Sequence, residues 1–218
     1  MSVLDSDALI STALKKLGNE TITADAEVWI GTILDRLYED FKWDFLEKVA
    51  TGSLTPSQSS VNLPADFDAP WDDDSLVIIN STGGYSALSF STQYDQDLLT
   101  NPATTGTPTT ALINYQAMTW RPFPLPSTSF SYQLRYRYKP DENSDTYANF
   151  TPVFPNDQII IQALFVEGLL HEDDDRYVPQ LQILQQMIAR YKGKFNKRSN
   201  KKQRVRFSSR FSNPGSFR

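Results

Sequence analysis

The apolar residues of this chain change their spacing twice, and that change constrains the fold more than any other feature. Near both ends they recur every three or four positions, as on one face of a helix, whereas in the middle they alternate with polar residues. Helices at the two ends must pack together to bury their apolar faces, so the strands form an insertion. The order predicts an α+β fold, with terminal helices forming a helical bundle, an inserted antiparallel β-subdomain and an extended C-terminal arm.

Residues 1–50 are predicted to form an N-terminal helical hairpin. Ser6 is the expected N-cap of the first helix and Gly18 its stop. Thr23 is the expected cap of the second helix, which should run to about Val49. The apolar stripes are Leu9, Ile10, Ala13, Leu14 and Leu17 in the first helix, and Trp29, Ile30, Ile33, Leu34, Leu37, Tyr38, Phe41 and Phe45 in the second.

Residues 51–152 are predicted to form the antiparallel β-subdomain. The clearest strand covers residues 128–139, where one face is apolar or aromatic and the other polar. The inward face consists of Phe130, Tyr132, Leu134, Tyr136 and Tyr138. Residues 111–120 are predicted to be one further strand, and the proline-rich residues 121–126 a stiff turn between the two. Shorter apolar runs at 76–79 and 85–94 are weaker strand candidates.

Residues 153–195 are predicted to form two C-terminal helices that pack on the N-terminal helices. Asn156 and Asp157 are the candidate caps of the first. Pro179 fits only in the first turn of the second. After residue 195 the apolar period ends, and residues 196–218 are predicted to be a basic extended arm.

The charges of the chain are divided between its two parts. Residues 1–175 contain all 26 acidic residues and nine basic ones, a net charge of −17, whereas residues 176–218 contain twelve basic residues and no acidic one. Such an asymmetry is typical of an interaction arm. The candidate partner-binding residues are Lys194, Lys197, Arg198, Lys201, Lys202, Arg204, Arg206, Phe207, Arg210, Phe211 and Phe217.

Three interpretations of this basic arm remain open. It binds phosphates while its phenylalanines stack on bases, or it docks on an acidic protein groove with the phenylalanines as anchors, or it is a solvated tail. In either binding case the basic side chains attract the partner, and the phenylalanine side chains act as anchors once it is bound.

The sequence offers little support for catalysis or for a bound metal or cofactor. Cysteine is absent, so thiolate metal sites and cysteine nucleophiles are excluded. The acidic runs at 72–74 and 172–175 lack the spacing of a calcium loop and are interpreted as solvated connectors. His171, the one histidine, is expected to be a polar residue at the end of a helix. No pattern singles out a pair of carboxylates for glycoside cleavage. We therefore expect no enzyme, no metal and no cofactor.

Three ordered motifs over residues 1–195 resemble the head-to-tail adaptor proteins of short-tailed bacteriophages, the tail tubular A-like or portal-attached tail accessory group. The first is Phe41-Lys-Trp-Asp-Phe-Leu, followed by Val61-Asn-Leu-Pro-Ala-Asp-Phe. The second is Tyr136-Arg-Tyr-Lys-Pro after a proline-rich turn, and the third is Phe154-Pro-Asn-Asp at the start of a helix. The basic arm is not part of this pattern.

The resemblance implies a structural virion protein at the head–tail junction, made in the host cytoplasm. Such adaptors form a ring, commonly of twelve copies, between the portal protein and the tail nozzle or tail proteins, and use no cofactor or membrane. We expect the basic arm to dock on the portal or on neighbouring subunits. The alternatives are a nucleic-acid-binding protein that contacts DNA through the arm, and a cell-wall hydrolase that uses two carboxylates of the body.

Overall fold

A computed structural model describes residues 4–80, 82–92, 104–140 and 149–208 of the chain, and beyond residue 194 the description covers the backbone alone. The fold is α+β as predicted, with helices towards both ends and strands between them. The chain divides into two compact units. We call Met1–Phe45 with Glu142–Arg218 the helical unit and Leu46–Asp141 the β unit.

The described part of the helical unit contains four α-helices. They are α1 (Ser6–Leu17), α2 (Thr23–Glu39), α3 (Asp157–His171) and α4 (Tyr177–Ser208). α3 is buried on almost every side, because α1, α2 and α4 all pack against it. Its buried residues are Ile159, Ile160, Ile161, Gln162, Ala163, Leu164, Phe165, Val166, Gly168 and Leu169. A helix that is apolar all round is the central helix of its bundle.

The ends of α1 are fixed by one side chain and one glycine. The carboxylate of Asp5 accepts a hydrogen bond from the Ala8 N–H at 2.9 Å, so Asp5 is the N-cap. The prediction that Ser6 is the N-cap was wrong, since Ser6 is buried in the first turn. Gly18 ends the helix as predicted, with φ of 86°, a conformation that glycine adopts without a steric cost.

α2 begins at Thr23 and ends at Glu39, well before the predicted end near Val49. Thr23 is a helical residue rather than the cap, and its hydroxyl donates a hydrogen bond to the Glu20 carbonyl. The indole N–H of Trp43 donates to the Leu37 carbonyl at 2.6 Å. This bond satisfies an acceptor that the helix end leaves open, and the chain can therefore turn away.

α4 extends further than the sequence indicated. Pro179 lies in its first turn as predicted, but the helix continues through residues 196–208, where an extended arm was expected to begin. This stretch lacks an apolar stripe, yet it contains no glycine or proline, and its three lysines, three arginines and one glutamine favour helix. Residues 209–218 lie outside the described residues.

The described part of the β unit contains one large sheet and one small one. The strands are β1 (Glu47–Leu54), β2 (Val61–Asn62), β3 (Phe67–Pro70), β4 (Leu76–Ile79), β5 (Tyr85–Thr92), β6 (Thr105–Gly106), β7 (Thr110–Asn114), β8 (Thr119–Phe123), β9 (Leu125–Pro126) and β10 (Phe130–Tyr138). The large sheet has the order β1-β10-β4-β5-β7-β8-β2, with β3 also paired to β10, and β6 pairs with β9.

β10 is the strand around which the β unit is organised. It pairs antiparallel with β1 along its whole length and with β4 and β3 on the other side. The predicted alternation holds, since Phe130, Leu134 and Tyr136 are buried. They join a core with Leu54, Val61, Leu63, Phe67, Leu76, Ile78, Leu88, Ala111, Ile113 and Trp120.

Three details of the β unit differ from the sequence prediction. The sheet is not wholly antiparallel, because β5 pairs parallel with β7, and β6 with β9. Residues 111–120 form a hairpin of β7 and β8 rather than one strand, with the turn closed by a hydrogen bond from the Ala117 N–H to Asn114 Oδ1. Within the predicted turn 121–126, residues 121–123 belong to β8 and residues 125–126 to β9. Pro122 is tolerated because β2 pairs only with Trp120 and Thr119, leaving that side of Pro122 without a ladder bond to donate.

Candidate assembly interface

The structure places the backbone of eight of the eleven predicted partner-binding residues along one helix. Lys194 is exposed on α4. The backbone of Lys197, Arg198, Lys201, Lys202, Arg204, Arg206 and Phe207 continues the same helix, which extends about 21 Å past Lys194 at 1.5 Å per residue. The other three candidates, Arg210, Phe211 and Phe217, lie outside the described residues. What the structure describes of this interface is therefore how α4 is attached to the helical bundle.

An aromatic cluster holds the middle of α4. The Tyr191 ring lies 5.5 Å from Trp43 and 5.6 Å from Phe154, centroid to centroid. Trp43 also contacts Phe154 edge-on at 5.3 Å and stacks with Phe45 at 5.8 Å. Trp43 and Phe154 are fully buried. This arrangement brings two of the sequence motifs, 41–46 and 154–157, onto the same turn of α4.

Polar contacts fix the helix on either side of that cluster. Lys192 Nζ makes an ion pair with Asp40 Oδ2 at 2.5 Å, at the end of α2. Towards the start of α4, the buried Gln162 side chain of α3 donates to the Gln180 side chain at 3.1 Å. Gln162 in turn accepts a hydrogen bond from Lys16 Nζ at 2.6 Å. Burial lowers the pKa of Lys16. The contacts of α4 therefore span Gln180 to Lys192.

The packing of α4 is nevertheless incomplete. Among its described side chains only Leu184 is buried, while Val178 and Ile183 are exposed. A cleft of about 550 Å³ lies between α2, α3 and α4, and we call it the α2–α3–α4 cleft. It is lined by Ile33, Arg36, Leu37, Glu39, Asp40, Ala163, Val166, Glu167, Tyr177, Leu181, Leu184 and Ile188. Sequence reasoning placed Ile33 and Leu37 in the apolar stripe of the second helix and missed the cleft, which arises only from how three helices meet.

The rim of the cleft is more acidic than basic. Glu39, Asp40 and Glu167 are carboxylates, and Arg36 is the one basic residue of the lining. Arg36 Nη1 pairs with Glu167 at 3.0 Å, and Lys192 pairs with Asp40. The site thus combines an apolar floor with a rim on which three carboxylates face two cations, Arg36 and Lys192. The small excess of negative charge suits a partner that carries both apolar and basic side chains.

In the β unit, Asp66 joins the other two sequence motifs. Its carboxylate accepts hydrogen bonds from Lys48 Nζ at 2.6 Å and from the Tyr136 hydroxyl at 2.9 Å. Its carbonyl accepts from the Lys139 N–H at 2.9 Å. Motif 61–67 is therefore fastened to motif 136–140, and the Phe67 and Tyr136 rings lie 5.7 Å apart.

The electrostatics of this group follow from burial and hydrogen bonding. Burial and the hydrogen bond to Asp66 raise the pKa of Tyr136 to about 12. Burial opposes ionisation of Asp66, but the hydrogen bonds from Lys48 and Tyr136 outweigh it and lower the pKa of this carboxyl below its ordinary value.

Asp174, in the acidic run 172–175, and His171 both make contacts with neighbouring side chains. Asp174 accepts hydrogen bonds from the Arg176 side chain and N–H, which lower its pKa. His171 packs on the Trp29 ring at 5.3 Å, in the last turn of α3. Within the described ranges, no group of three or more His, Cys, Asp or Glu side chains is arranged to hold a metal ion. None of the described helices is long and apolar enough to cross a membrane.

Comparison with protein families identifies the class of this chain. The family model described as SU10 adaptor protein matches residues 5–216. The chain belongs to the SU10 adaptor protein family. It is therefore a structural adaptor of a bacteriophage virion, a class that is generally not enzymatic and that interacts with other virion components such as portal or tail. No curated protein matches the chain.

The family match also includes the basic arm. The sequence motifs that resemble phage adaptors end near residue 195, whereas the SU10 adaptor match continues to residue 216. Residues 196–216 are thus part of the family pattern and not an appendage of this chain. The match covers both units, the anchored part of α4 and the helical part of the arm.

Proposed function

We propose that this SU10 adaptor joins the portal to the tail of a short-tailed phage as a ring, commonly of twelve copies, at the head–tail junction. In this proposal the basic arm docks on the portal or on neighbouring subunits, while the tail nozzle or tail proteins bind elsewhere on the ring. The observation that carries the proposal is α4, which is fixed to the bundle at Tyr191 and Lys192 and then continues as a basic helix to Ser208.

The anchorage supports docking because it fixes the direction of the helix. A helix held at two points presents the side chains beyond them in a set orientation, which lowers the entropy cost of binding a partner. The charge division supports it as well. The net charge of −17 over residues 1–175 would repel nucleic acid, and only the basic part would attract an acidic surface.

Assembly with the purified portal tests the proposal. The full chain is expected to form a ring complex that size-exclusion chromatography and negative-stain microscopy detect. Deleting residues 196–218 should weaken the complex. A matched variant replaces Lys197, Arg198, Lys201, Lys202, Arg204 and Arg206 with Gln, which keeps helix propensity but removes the charge. If the deletion and the Gln variant assemble as the full chain does, arm docking is refuted.

DNA contact through the arm is the second candidate, favoured by the absence of any acidic residue after position 175. It predicts binding to duplex DNA whose affinity falls steeply with salt, in proportion to the phosphates neutralised. The same Gln variant removes six of the twelve basic residues after position 175 and should weaken that binding strongly. Absence of DNA binding by the full chain at low salt would eliminate this candidate and leave the adaptor proposal intact.

A further inference from the structure

The α2–α3–α4 cleft is an apolar site whose walls are already positioned. Its floor includes Ala163 and Val166 of α3, both nearly fully buried, and its far wall is formed by Leu181 and Ile188 of α4, which are partly exposed. At about 550 Å³ it falls within the range of ligand-sized clefts, about 300–1,000 Å³. It has room for a large side chain together with part of the backbone that carries it.

The last ten residues of the chain have the composition that this cleft would select. Residues 209–218 contain Phe211 and Phe217, each next to or near an arginine, and no acidic residue. A phenylalanine on the apolar floor would remove its ring from water, and Arg210 or Arg218 would face the carboxylates of the rim. Apolar burial and charge complementarity therefore favour the same occupant.

The length of the segment after Ser208 decides whether it can occupy the cleft of its own copy or that of a neighbouring copy. Along α4, Leu181 lies 27 residues before Ser208, about 40 Å at 1.5 Å per residue. Phe217 lies nine residues after Ser208, at most about 32 Å when fully extended. Even Ile188, about 30 Å from Ser208, is at the limit of a chain stretched back along its own helix. Phe211 therefore cannot reach the cleft of its own copy, and Phe217 reaches only the Ile188 edge of it, with every intervening residue fully extended. A neighbouring copy carries no such constraint.

We propose that residues 209–218 of one copy bind in the α2–α3–α4 cleft of a neighbouring copy. This inference rests on the proposed ring and identifies one contact between neighbouring copies of that ring. Donor segment and acceptor cleft are different surfaces of the same chain, so the contact is heterologous, and repeated heterologous contacts generate a ring when the rotation closes. The positive charge of the donor and the negative charge of the rim select this orientation over the reverse.

Disulfide trapping tests the contact in the assembled particle. The chain has no cysteine, so cysteines introduced at Glu39, on the exposed rim, and at Ser216, beside the Phe217 anchor, are the only thiols of the chain. Two singly substituted proteins, E39C and S216C, are mixed, assembled with the portal and oxidised. We expect a covalent dimer, and none when T12C on the exposed face of α1 replaces E39C. A ring without this dimer, or a bond from S216C to the portal, would overturn the inference while leaving the ring standing.

A second measurement does not need the portal. A fluorescent peptide of residues 209–218 is titrated with the full chain and followed by anisotropy. Replacing Phe211 and Phe217 in the peptide by Ser should weaken binding by about 10- to 100-fold for each ring that is buried. L181W, which fills the cleft from a partly exposed position, and E39K, which reverses a rim charge, should also weaken it. Their circular dichroism should match that of the parent chain. Equal affinity for the parent and Ser-substituted peptides would refute the inference, whatever the portal experiment shows.

Discussion

Replacing Tyr191 by Ala is expected to release the middle of α4 from the bundle. The ring makes two aromatic contacts, at 5.5 Å with Trp43 and 5.6 Å with Phe154. Such pairs contribute about 0.5–1.5 kcal/mol each beyond area burial. Loss of a half-buried ring adds about 1 kcal/mol. The sum is about 2–4 kcal/mol of unfolding free energy for the helical unit.

The assay for this substitution is urea unfolding followed by circular dichroism, with amide exchange measured peptide by peptide. Exchange should rise most in residues 180–194, and the peptides of β10 should keep their protection, because Trp43 and Phe154 both belong to the helical unit. Tyr191→Phe retains the ring and serves as the matched control. A Tyr191→Ala variant within about 0.5 kcal/mol of the parent chain, or one that loosens β10 equally, would refute the anchoring role.

The remaining predictions concern the β unit. The pKa of Asp66 is lowered in the folded state, so its ionisation stabilises the fold at pH values above the ordinary pKa of an aspartate, and this contribution is lost as the pH falls through the folded-state pKa. In urea melts at different pH values, Asp66→Asn should therefore show a smaller loss of stability on the acid side than the parent chain. The pKa of Tyr136 is raised to about 12, so its neutral hydroxyl contributes stability that is fully present below about pH 10 and is lost as the pH rises through about 12. Ultraviolet titration should show one tyrosine that ionises only near pH 12, and Tyr136→Phe should remove that step. A Cβ at Gly52 would lie 2.6 Å from the Tyr132 ring, and Gly52→Ala should therefore cost about 1–3 kcal/mol in urea unfolding.

The fold class followed from local periodicity because that signal is strong at both ends of the chain and in β10. The alternation from Phe130 to Tyr138 predicted which face is buried, and Phe130, Leu134 and Tyr136 are indeed in the core. The end of α2 did not follow. Phe41 and Phe45 continue the helical spacing, but Trp43 bonds to the Leu37 carbonyl and gathers both rings around itself. A tertiary contact overrode the local pattern.

The candidate interface was predicted only in part, for a physical reason. Charge is visible in the sequence, so the basic residues after 175 were identified directly. Their helical backbone to Ser208 was missed because a helix without an apolar stripe leaves no periodic signal, although lysine, arginine and glutamine favour it. The α2–α3–α4 cleft depends on three helices from distant parts of the chain. The partial exposure of Leu181 and Ile188 arises only once they are packed.

The sequence motifs that resemble phage adaptors contact one another in pairs, one pair in each unit. Residues 41–46 and 154–157 meet in the aromatic cluster that holds Tyr191, and residues 61–67 and 136–140 meet at Asp66. Each pair is separated by more than 60 residues in sequence. In this chain each motif therefore completes the packing of its counterpart.

Electron cryo-microscopy of the adaptor bound to its portal tests the central claim most directly. The account predicts a closed ring of adaptor copies on the portal, with the basic helix of α4 beyond Lys194 in contact with the portal or with an adjacent copy. A ring in which residues 195–208 touch neither, or a chain that does not associate with the portal at any ratio, would contradict it.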